Sequence, residues 1–460
     1  MHSGHQRTLL LCAATLAAFL MPFMGSAVNV ALPVISTTFA MSALSVSWVA
    51  SAFLLAAAMT LLPAGRLADL IGRKKIFLTG ALIFTAGSVL CIFAQTQALF
   101  IALRAVQGIG AAMTFSTGTA MLISAYPPEV RGRILGINIA GVYIGLTIGP
   151  FTGGLLAQHW GWESIFVFSA VLGAAVALCA GGIGTEEAPL AQGERFDWPG
   201  AMLYAFALLA LMYGFSHLPS MPATALIGAG ILCLVLFVRQ QIKKPFPLID
   251  MRLFQDNRVF AFSNLAALIN YCATFAITFV LSLYLQHVKG LSPFQAGTVL
   301  VIEPLLQALF SPLAGRLSDR YEPRIIASGG MALTVTGLVC LTFISPETKL
   351  WHILTCLGVL GVGFAFFSSP NVNAIMSSVE NRYYGVASAT LATMRMLGQM
   401  LSMGIAMILF AVIIGDQNLS AENGHLLIAS GRLIFGILAV TCVFGIFASL
   451  MRGRLHKKRR

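Results

Sequence analysis

Long apolar stretches separated by short polar segments fill this 460-residue chain. About 20 consecutive apolar residues are enough to cross a lipid bilayer as a helix. The pattern predicts fourteen such helices, at residues 9–32, 44–65, 76–96, 99–124, 134–157, 164–184, 198–216, 222–240, 258–285, 293–315, 325–345, 351–377, 385–414 and 428–451. The chain is therefore predicted to be an all-α polytopic membrane protein.

One short pattern, Gly-Arg-Leu-x-Asp, occurs once in each half of the chain. It occupies residues 65–69 and 315–319, where in each case an apolar stretch ends and a charged loop begins. A pattern repeated at the same membrane depth indicates a duplicated unit. We predict a six-helix half at 1–184, a linker with two inserted helices at 185–257, and a second six-helix half with a basic tail at 258–460.

Composition supports a membrane location. Hydrophobic residues make up 58% of the chain and charged residues only 10%, more apolar surface than a water-soluble fold can bury. If the N-terminus is cytoplasmic, nearly every Lys and Arg falls in a cytoplasmic loop or tail. The exceptions are Arg104, Arg395 and Arg432 within spans and Lys289 and Lys349 outside. The positive-inside rule thus favours fourteen spans in the inner membrane with both termini cytoplasmic.

Several classes of function are disfavoured by what the sequence lacks. The net charge of +12 is explained by anionic lipid and does not require nucleic acid. No phosphate-binding loop is evident, and the eight cysteines all lie in predicted spans without paired spacing. We expect no enzyme activity, no cofactor and no metal. The expected partners are a small-molecule substrate, protons and the bilayer, with the chain acting as a monomer.

Three motifs carry a family resemblance. The loop after helix 2 reads Gly-Arg-Leu-Ala-Asp-Leu-Ile-Gly-Arg-Lys-Lys at 65–75, and helix 4 reads Arg-Ala-Val-Gln-Gly-Ile-Gly at 104–110. Helix 5 has a glycine at nearly every fourth position between Gly141 and Gly154. These motifs resemble those of the major facilitator superfamily, specifically its fourteen-helix branch of drug:proton antiporters. Shorter stretches typical of that branch occur at 196–198, 247–254 and 290–293.

The resemblance implies a major facilitator fold, in which two six-helix halves and two inserted helices form fourteen spans. It also implies proton-coupled export of small amphipathic or lipophilic compounds by alternating access. The alternative is a carrier of the same fold for a specific lipid or lipophilic metabolite, without proton coupling.

Charged and glycine-rich segments are the predicted controls of conformation. The resemblance implies that Asp69 faces the positive N-terminus of helix 13 near Gly385. By pseudo-symmetry Asp319 would lie near the start of helix 5, around Arg131. Glycines on helix 5 allow close helix approach, and Pro150 adds a bend. The alternatives are that the charges only set topology and the glycines only pack. The predicted set is Gly65, Asp69, Gly72, Arg73, Asp319, Gly145, Gly149, Pro150 and Gly153.

One acidic residue, Glu303, lies well inside a predicted span. It is about ten residues into helix 10, hence roughly 15 Å deep at 1.5 Å per residue. An ionisable group at that depth is costly, and an apolar setting favours its protonated form. We predict that Glu303 carries the coupled proton, with a permanent structural bridge as the alternative. By resemblance Arg104 assists the proton transfer, or else is a buried structural cation.

Polar residues within the spans are the candidate substrate contacts by family analogy, with helix packing as the alternative role. They are Asn29, Gln107, Asn138, Tyr143, Asn264, Asn270, Tyr271, Gln307, Asn371, Asn373 and Arg395. Helix 1 of this branch commonly carries an acidic residue where this chain has Met24. We therefore expect neutral, zwitterionic or monovalent compounds to be transported better than dications.

Overall fold

The computed structural model describes residues 4–184, 194–380, 384–415, 417 and 423–453. In these residues fourteen helices are long and apolar enough to cross a membrane, which confirms the predicted fold class. Numbered from 1 to 14, they are Gly4–Thr38, Ala43–Ile71, Arg73–Ile92, Gln97–Ala125, Pro128–Trp160, Glu163–Gly181, Trp198–Ser216, Met221–Lys243, Arg258–Val288, Pro293–Arg320, Pro323–Leu341, Leu350–Ser377, Tyr384–Ile413 and Gly424–Met451. A short helix, Arg252–Asp256, precedes helix 9.

Side-chain caps fix where several helices begin. Oxygen atoms of Ser42, Thr96 and Asn257 accept hydrogen bonds from backbone N–H groups in the first turns of helices 2, 4 and 9. Before helix 10, Ser292 and Gln295 form a reciprocal capping box. These caps satisfy amide groups that a helix start leaves without an internal partner.

Helix 10 is interrupted near its middle. Its first segment is Pro293–Leu300 and its second is Ile302–Arg320. Pro304 has no N–H group, so the carbonyl of Leu300 lacks its normal intrahelical donor and the helix loosens there. The joint places Glu303 in the first turn of the second segment.

Helix 9 is interrupted without a proline. It runs as Arg258–Cys272 and Phe275–Leu283, and it ends in a π-helical turn, Tyr284–Val288. The amide of Ala276 donates instead to the hydroxyl of Ser402 on helix 13, at 2.9 Å. A side chain from a neighbouring helix thus satisfies a backbone group that the break exposes.

Helices 1–6 and 9–14 pack with the same internal plan. In the first set, helix 1 packs on 5, helix 2 on 4, and helix 3 on 4 and 6. In the second set, helix 9 packs on 13, helix 10 on 12, and helix 11 on 12 and 14. Each pairing in the first set has its counterpart eight helices later, as expected for a duplicated unit.

The two sets meet on one side of the membrane. Because the fourteen described spans are an even number of crossings, the start of helix 1 and the end of helix 14 lie on one face, called here the terminus face, and the other is the opposite face. At the opposite face, Gln286 of helix 9 donates to the carbonyl of Val30 on helix 1, at 2.8 Å. The amide of Ala43 donates to the carbonyl of Gln417, at 3.2 Å. The opposite face is therefore closed.

Helices 5 and 10 show the same asymmetry along their length. Towards the opposite face their backbones touch, since a side chain at Gly297 would overlap the carbonyl of Pro150 and one at Gly154 that of Pro293. Towards the terminus face the two helices diverge. A groove of about 540 Å³ separates residues 136–148 from the segment around Ser311.

The two inserted helices cover another seam between the halves. Helix 7 lies against helices 2 and 13, and the Tyr204 hydroxyl donates to the Ala58 carbonyl at 3.2 Å. Gly404 of helix 13 leaves room for the ring of Phe215. Helix 8 packs on helix 7 and exposes most of its surface. The pair thus shields the contact between helices 2 and 13 from lipid.

Candidate functional site

A central cavity lies between the two halves at the level of the helix joints. Its volume is about 120 Å³, and helices 1, 2, 4, 5, 9, 10, 12 and 13 border it. A second space of about 550 Å³ separates the halves on the terminus face. Phe115 borders both spaces. Since the opposite face is closed, the cavity is approached from the terminus face in this conformation.

The cavity wall mixes aromatic and polar groups. The rings are Phe53, Phe115, Phe275, Phe364, Tyr143 and Tyr271, and the amides are Asn29, Asn270, Gln307 and Gln399. A largely apolar wall with a few polar groups suits a ligand that is itself amphipathic. Of the predicted contact residues, the structure brings Asn29, Tyr143, Asn270, Tyr271, Gln307 and Arg395 to this wall.

Glu303 borders the cavity from helix 10. Its backbone carbonyl packs closely against Gly361 of helix 12, and Thr147 of helix 5 donates to the neighbouring Pro304 carbonyl at 3.3 Å. Among the described residues its carboxyl group forms no hydrogen bond or salt bridge. In this conformation, therefore, no described residue is the partner that Glu303 would need to act as a structural bridge.

Arg395 borders the same cavity from helix 13. Its guanidinium carbon lies 5.3 Å from the centroid of the Tyr271 ring, a cation–π contact. Its buried Nε has no hydrogen-bond partner among the described residues. Glu303 and Arg395 are the acidic and basic residues of the wall, and no salt bridge joins them.

Arg104 lies away from the cavity, buried within the first half. Its guanidinium donates to the Gln107 side chain and to the Val49 carbonyl, and its carbon lies 4.5 Å from the Phe53 ring centroid. Gln107 in turn donates to Ser88 at 2.7 Å. The structure does not bring Arg104 or Gln107 to the cavity wall. These contacts are those of a buried cation satisfied by neutral acceptors.

Asn371 is likewise drawn to a buried arginine. Its oxygen accepts a hydrogen bond from Arg452 at 3.0 Å, and its amide donates to the Ser263 carbonyl at 3.2 Å. Arg452 is only 1% exposed and also contacts Ser449 and the Pro323 carbonyl. This cluster ties helices 9, 11, 12 and 14 together at the terminus face, and sequence analysis placed Arg452 only in the basic tail.

Three other predicted amides lie outside the cavity wall as well. Asn138 donates to Thr119, and Asn264 donates to a carbonyl of its own helix. Asn373 donates to Asp319 at 3.2 Å. These amides therefore link neighbouring helices or turns.

Asp319 was predicted to lie near Arg131 at the start of helix 5. In the structure its contact is with Asn373 of helix 12, whereas Arg131 donates to the Tyr126 carbonyl at 2.8 Å. The contact across the halves is not made, since the halves are apart on this face.

Asp69 pairs within its own motif. Its carboxylate forms a 2.9 Å salt bridge with Arg73, which also donates to the Ala120 carbonyl at 3.2 Å. Gly72 has a backbone φ of 111°, a conformation that favours glycine and turns the chain between helices 2 and 3. Asp69 and Gly385 border the 550 Å³ space together. In this conformation the 550 Å³ space lies between Asp69 and helix 13, so the predicted pairing is not made here and stays a prediction.

The glycines of helix 5 face helix 1 rather than the seam between the halves. A side chain at Gly145 would overlap the Phe19 carbonyl, and one at Gly153 would lie 2.6 Å from Ala27. Gly149 is packed in the same way against Ser26. In this conformation these three positions pack helix 5 against helix 1 of its own half, and their role in conformational control stays a prediction. Other positions of helix 5 meet helix 10, among them Thr147, Pro150 and Gly154.

A buried carboxylate, Asp197, organises the linker and was not singled out by sequence. It accepts hydrogen bonds from the Gly200 amide, Gln241 and Lys244, at 3.0, 2.8 and 2.6 Å. Burial alone would raise its pKa, but hydrogen bonds from Lys244 and Gln241 hold the pKa below its ordinary value. Gln241 also accepts from the Leu248 amide. Asp197 thereby fixes the segment that borders the 550 Å³ space.

Comparisons with known proteins agree with this architecture. The sequence profile described as Major Facilitator Superfamily matches residues 14–403 and 263–460. The riboflavin transporter RibZ of Clostridioides difficile is 30% identical over 97% of each chain. The multidrug resistance protein Stp of Mycobacterium tuberculosis is 31% identical, covering 86% of this chain and 74% of Stp. The methylenomycin A resistance protein of Bacillus subtilis is 31% identical over 82% of each chain.

A solved structure shares the fold. A bacterial homologue of the human lysosomal transporter Spinster, crystallised inward-facing and unoccupied, has a TM-score of 0.70 and 18% identity. The match covers 98% of this chain and 97% of that one.

Proposed function

Because the chain belongs to the Major Facilitator Superfamily and is a multi-pass membrane transporter, not an enzyme, we propose that it exports small amphipathic compounds in exchange for protons. One observation carries the proposal. A cavity between the halves holds a carboxyl group without a partner among the described residues, and it is approached from one face. The names of the relatives Stp and the methylenomycin A resistance protein support export.

The mechanism is alternating access around this cavity. The terminus face is taken as cytoplasmic, so the conformation described is open to the cytoplasm. Substrate enters through the 550 Å³ space while Glu303 releases its proton there. The halves then rock, the contacts on the opposite face separate, and a proton from outside displaces the substrate. Proton and substrate are thus exchanged at the same site, the central cavity that Glu303 borders.

The test is transport by the purified protein in sealed vesicles with an imposed pH gradient. An amphipathic fluorescent cation should move against its own gradient only when protons flow the other way, and the vesicle interior should change pH when substrate is added. Transport at the same rate after the gradient is collapsed by a protonophore would reject proton coupling.

Orientation is tested by labelling single introduced cysteines in whole cells. A cysteine at Gly290, between helices 9 and 10, should react with a membrane-impermeant maleimide. One at Gln255, before helix 9, should react only after permeabilisation. A Cys-free background is the matched control, because all eight native cysteines must be replaced first. Labelling of Gln255 in intact cells would reverse the orientation.

The loop after helix 2 gives a second prediction. Asp69→Asn should reduce turnover about tenfold or more with near-normal expression and substrate affinity, since removing a charge that favours one state shifts the conformational equilibrium. The same substitution at Asp256, an exposed carboxylate of the same face, is the control. Normal turnover of Asp69→Asn would leave this loop a role in topology alone.

A second candidate function is the transport of one specific metabolite. It is favoured by the similarity to RibZ, which extends over 97% of both chains, and by the amides and tyrosine rings of the cavity wall. Such a wall can hold a planar, hydrogen-bonding molecule. Uptake of radiolabelled riboflavin by the same vesicles without a pH gradient, and no transport of lipophilic cations, would favour this candidate over export.

A further inference from the structure

The central cavity holds two ionisable groups of opposite type, a carboxyl group and a guanidinium group, that form no ion pair among the residues the structure describes. Glu303 on helix 10 and Arg395 on helix 13 are the acidic and basic residues of its wall. No salt bridge joins them, and no hydrogen bond satisfies either charged group among the described residues. Two other buried cations, Arg104 and Arg452, donate hydrogen bonds to neighbouring amide side chains. The cavity is therefore different in kind from these structural clusters.

Each charge is held in place by its own surroundings. The ring of Tyr271 lies against the Arg395 guanidinium, and the close approach of Gly361 fixes the helix 10 backbone at Glu303. The two groups form no salt bridge with each other in this conformation. Leaving charges unsatisfied in a largely apolar site is costly, and a ligand that pairs both of them removes that cost.

We infer that the cavity recognises an amphipathic zwitterion, whose ammonium group binds Glu303, whose acidic group binds Arg395 and whose aromatic body lies between. This inference rests on the proposed function and names its substrate class. A monocation would leave Arg395 unpaired, a monoanion would leave Glu303 unpaired, and a dication would add a charge that Arg395 repels. The rings of Phe53 and Phe275 in the wall suit the aromatic part.

The charge pattern also explains how exchange would arise. A proton on Glu303 removes the partner of the ammonium group, so proton and substrate compete for one carboxylate. Arg395 keeps its charge in both states and continues to select the acidic end. Arg395 thus acts in specificity, whereas Glu303 acts in both specificity and coupling.

The test uses the full-length protein in lipid nanodiscs and three matched probes. These are 4′-(aminomethyl)biphenyl-4-carboxylic acid, its methyl ester and its N-acetyl derivative, which are a zwitterion, a monocation and a monoanion. Calorimetric titration should show the zwitterion binding about tenfold tighter than either derivative. Binding of the ester as tightly as the zwitterion, or no binding of the zwitterion, would overturn the inference.

Variants separate the two charges. Arg395→Gln should lower affinity for the zwitterion to that for the ester and leave the ester unaffected. Glu303→Gln should lower it to that for the N-acetyl derivative. Arg432→Gln, whose arginine contacts the Ile344 carbonyl outside the cavity, is the control for loss of a positive charge. Arg395→Lys keeps the positive charge and should still prefer the zwitterion over the ester. If Arg395→Gln is too unstable to measure, an Arg395→Lys protein that has lost this preference would contradict the role of the charge.

The experiment also separates this inference from the proposed function. Binding is measured without a proton gradient, so an unchanged preference for the zwitterion together with no gradient-driven transport would reject export and keep the site. Gradient-driven transport with equal affinity for all three probes would keep export and reject the site.

Discussion

Glu303→Gln is expected to abolish uphill transport while substrate exchange across the membrane continues. The amide resembles the protonated carboxyl group in shape and charge, but it cannot release a proton, so the pH gradient loses its coupling to movement of the halves. In vesicles, accumulation should fall to the level seen without a gradient. Counterflow of labelled against unlabelled substrate should persist. It should be least affected for substrates whose binding does not need the carboxylate charge.

Two further variants make this result specific. Glu303→Asp keeps the acid but withdraws it by one methylene, so driven transport should survive with an altered pH profile. Glu347→Gln removes a carboxylate that lies exposed near the opposite face, outside the cavity wall, and should transport normally. A Glu303→Gln protein that still accumulates substrate at the normal rate would remove Glu303 from proton coupling.

The largest conformational effect is expected from Gly297→Ala. A methyl group there would overlap the Pro150 carbonyl, where helices 5 and 10 of the two halves touch on the opposite face. That contact belongs to the terminus-open conformation, so crowding it should favour the other state. Overpacking costs about 1–3 kcal/mol, enough to change a population ratio by roughly 5–150-fold.

The measurement is the distance between spin labels at Ile71 and Tyr321, exposed residues near the terminus-face ends of helices 2 and 10. Gly297→Ala should shift the distribution to shorter values. Gly136→Ala, on helix 5 where nothing lies within 4 Å of the added carbon, is the matched control and should leave it unchanged. An unchanged distribution in a folded Gly297→Ala protein would contradict the assignment of this contact to one state.

A third glycine distinguishes an effect on the stability of the fold from an effect on the balance between the two conformations. Gly145→Ala crowds the Phe19 carbonyl within one half, and that contact is present whichever face is open. It should lower thermal stability without favouring either state. Gly297→Ala and Gly145→Ala are thus expected to have different consequences, because only Gly297 lies at a contact between the two halves.

The fold was largely predictable from sequence because the bilayer imposes it. Apolar length, the charge bias of the loops and the repeated motif were sufficient for all fourteen helices. The depth of Glu303 followed from its position in helix 10, and the structure places it on the cavity wall. These are properties of single positions or of one helix, and no knowledge of neighbouring helices was needed.

Contacts between helices were the part that sequence could not supply. An amide inside a span looks the same whether it faces a cavity or a buried arginine, so Gln107 and Asn371 were grouped with Asn270. The period of the helix 5 glycines identified a packing face but not its partner, which is helix 1. Whether Asp69 pairs with helix 13 depends on conformation, since the start of that helix lies across an open space in the structure described.

The inserted pair, helices 7 and 8, makes the two sides of the carrier unequal in what surrounds them. One seam, between helices 2 and 13, is covered by helix 7, whereas the groove between helices 5 and 10 has no such cover among the described residues. When the halves rock, lipid must fill or leave that groove on one side only. Under the proposed alternating-access cycle, bilayer thickness and lateral pressure are expected to act on transport through a single flank, and the lipid composition around helices 5 and 10 is expected to affect its rate.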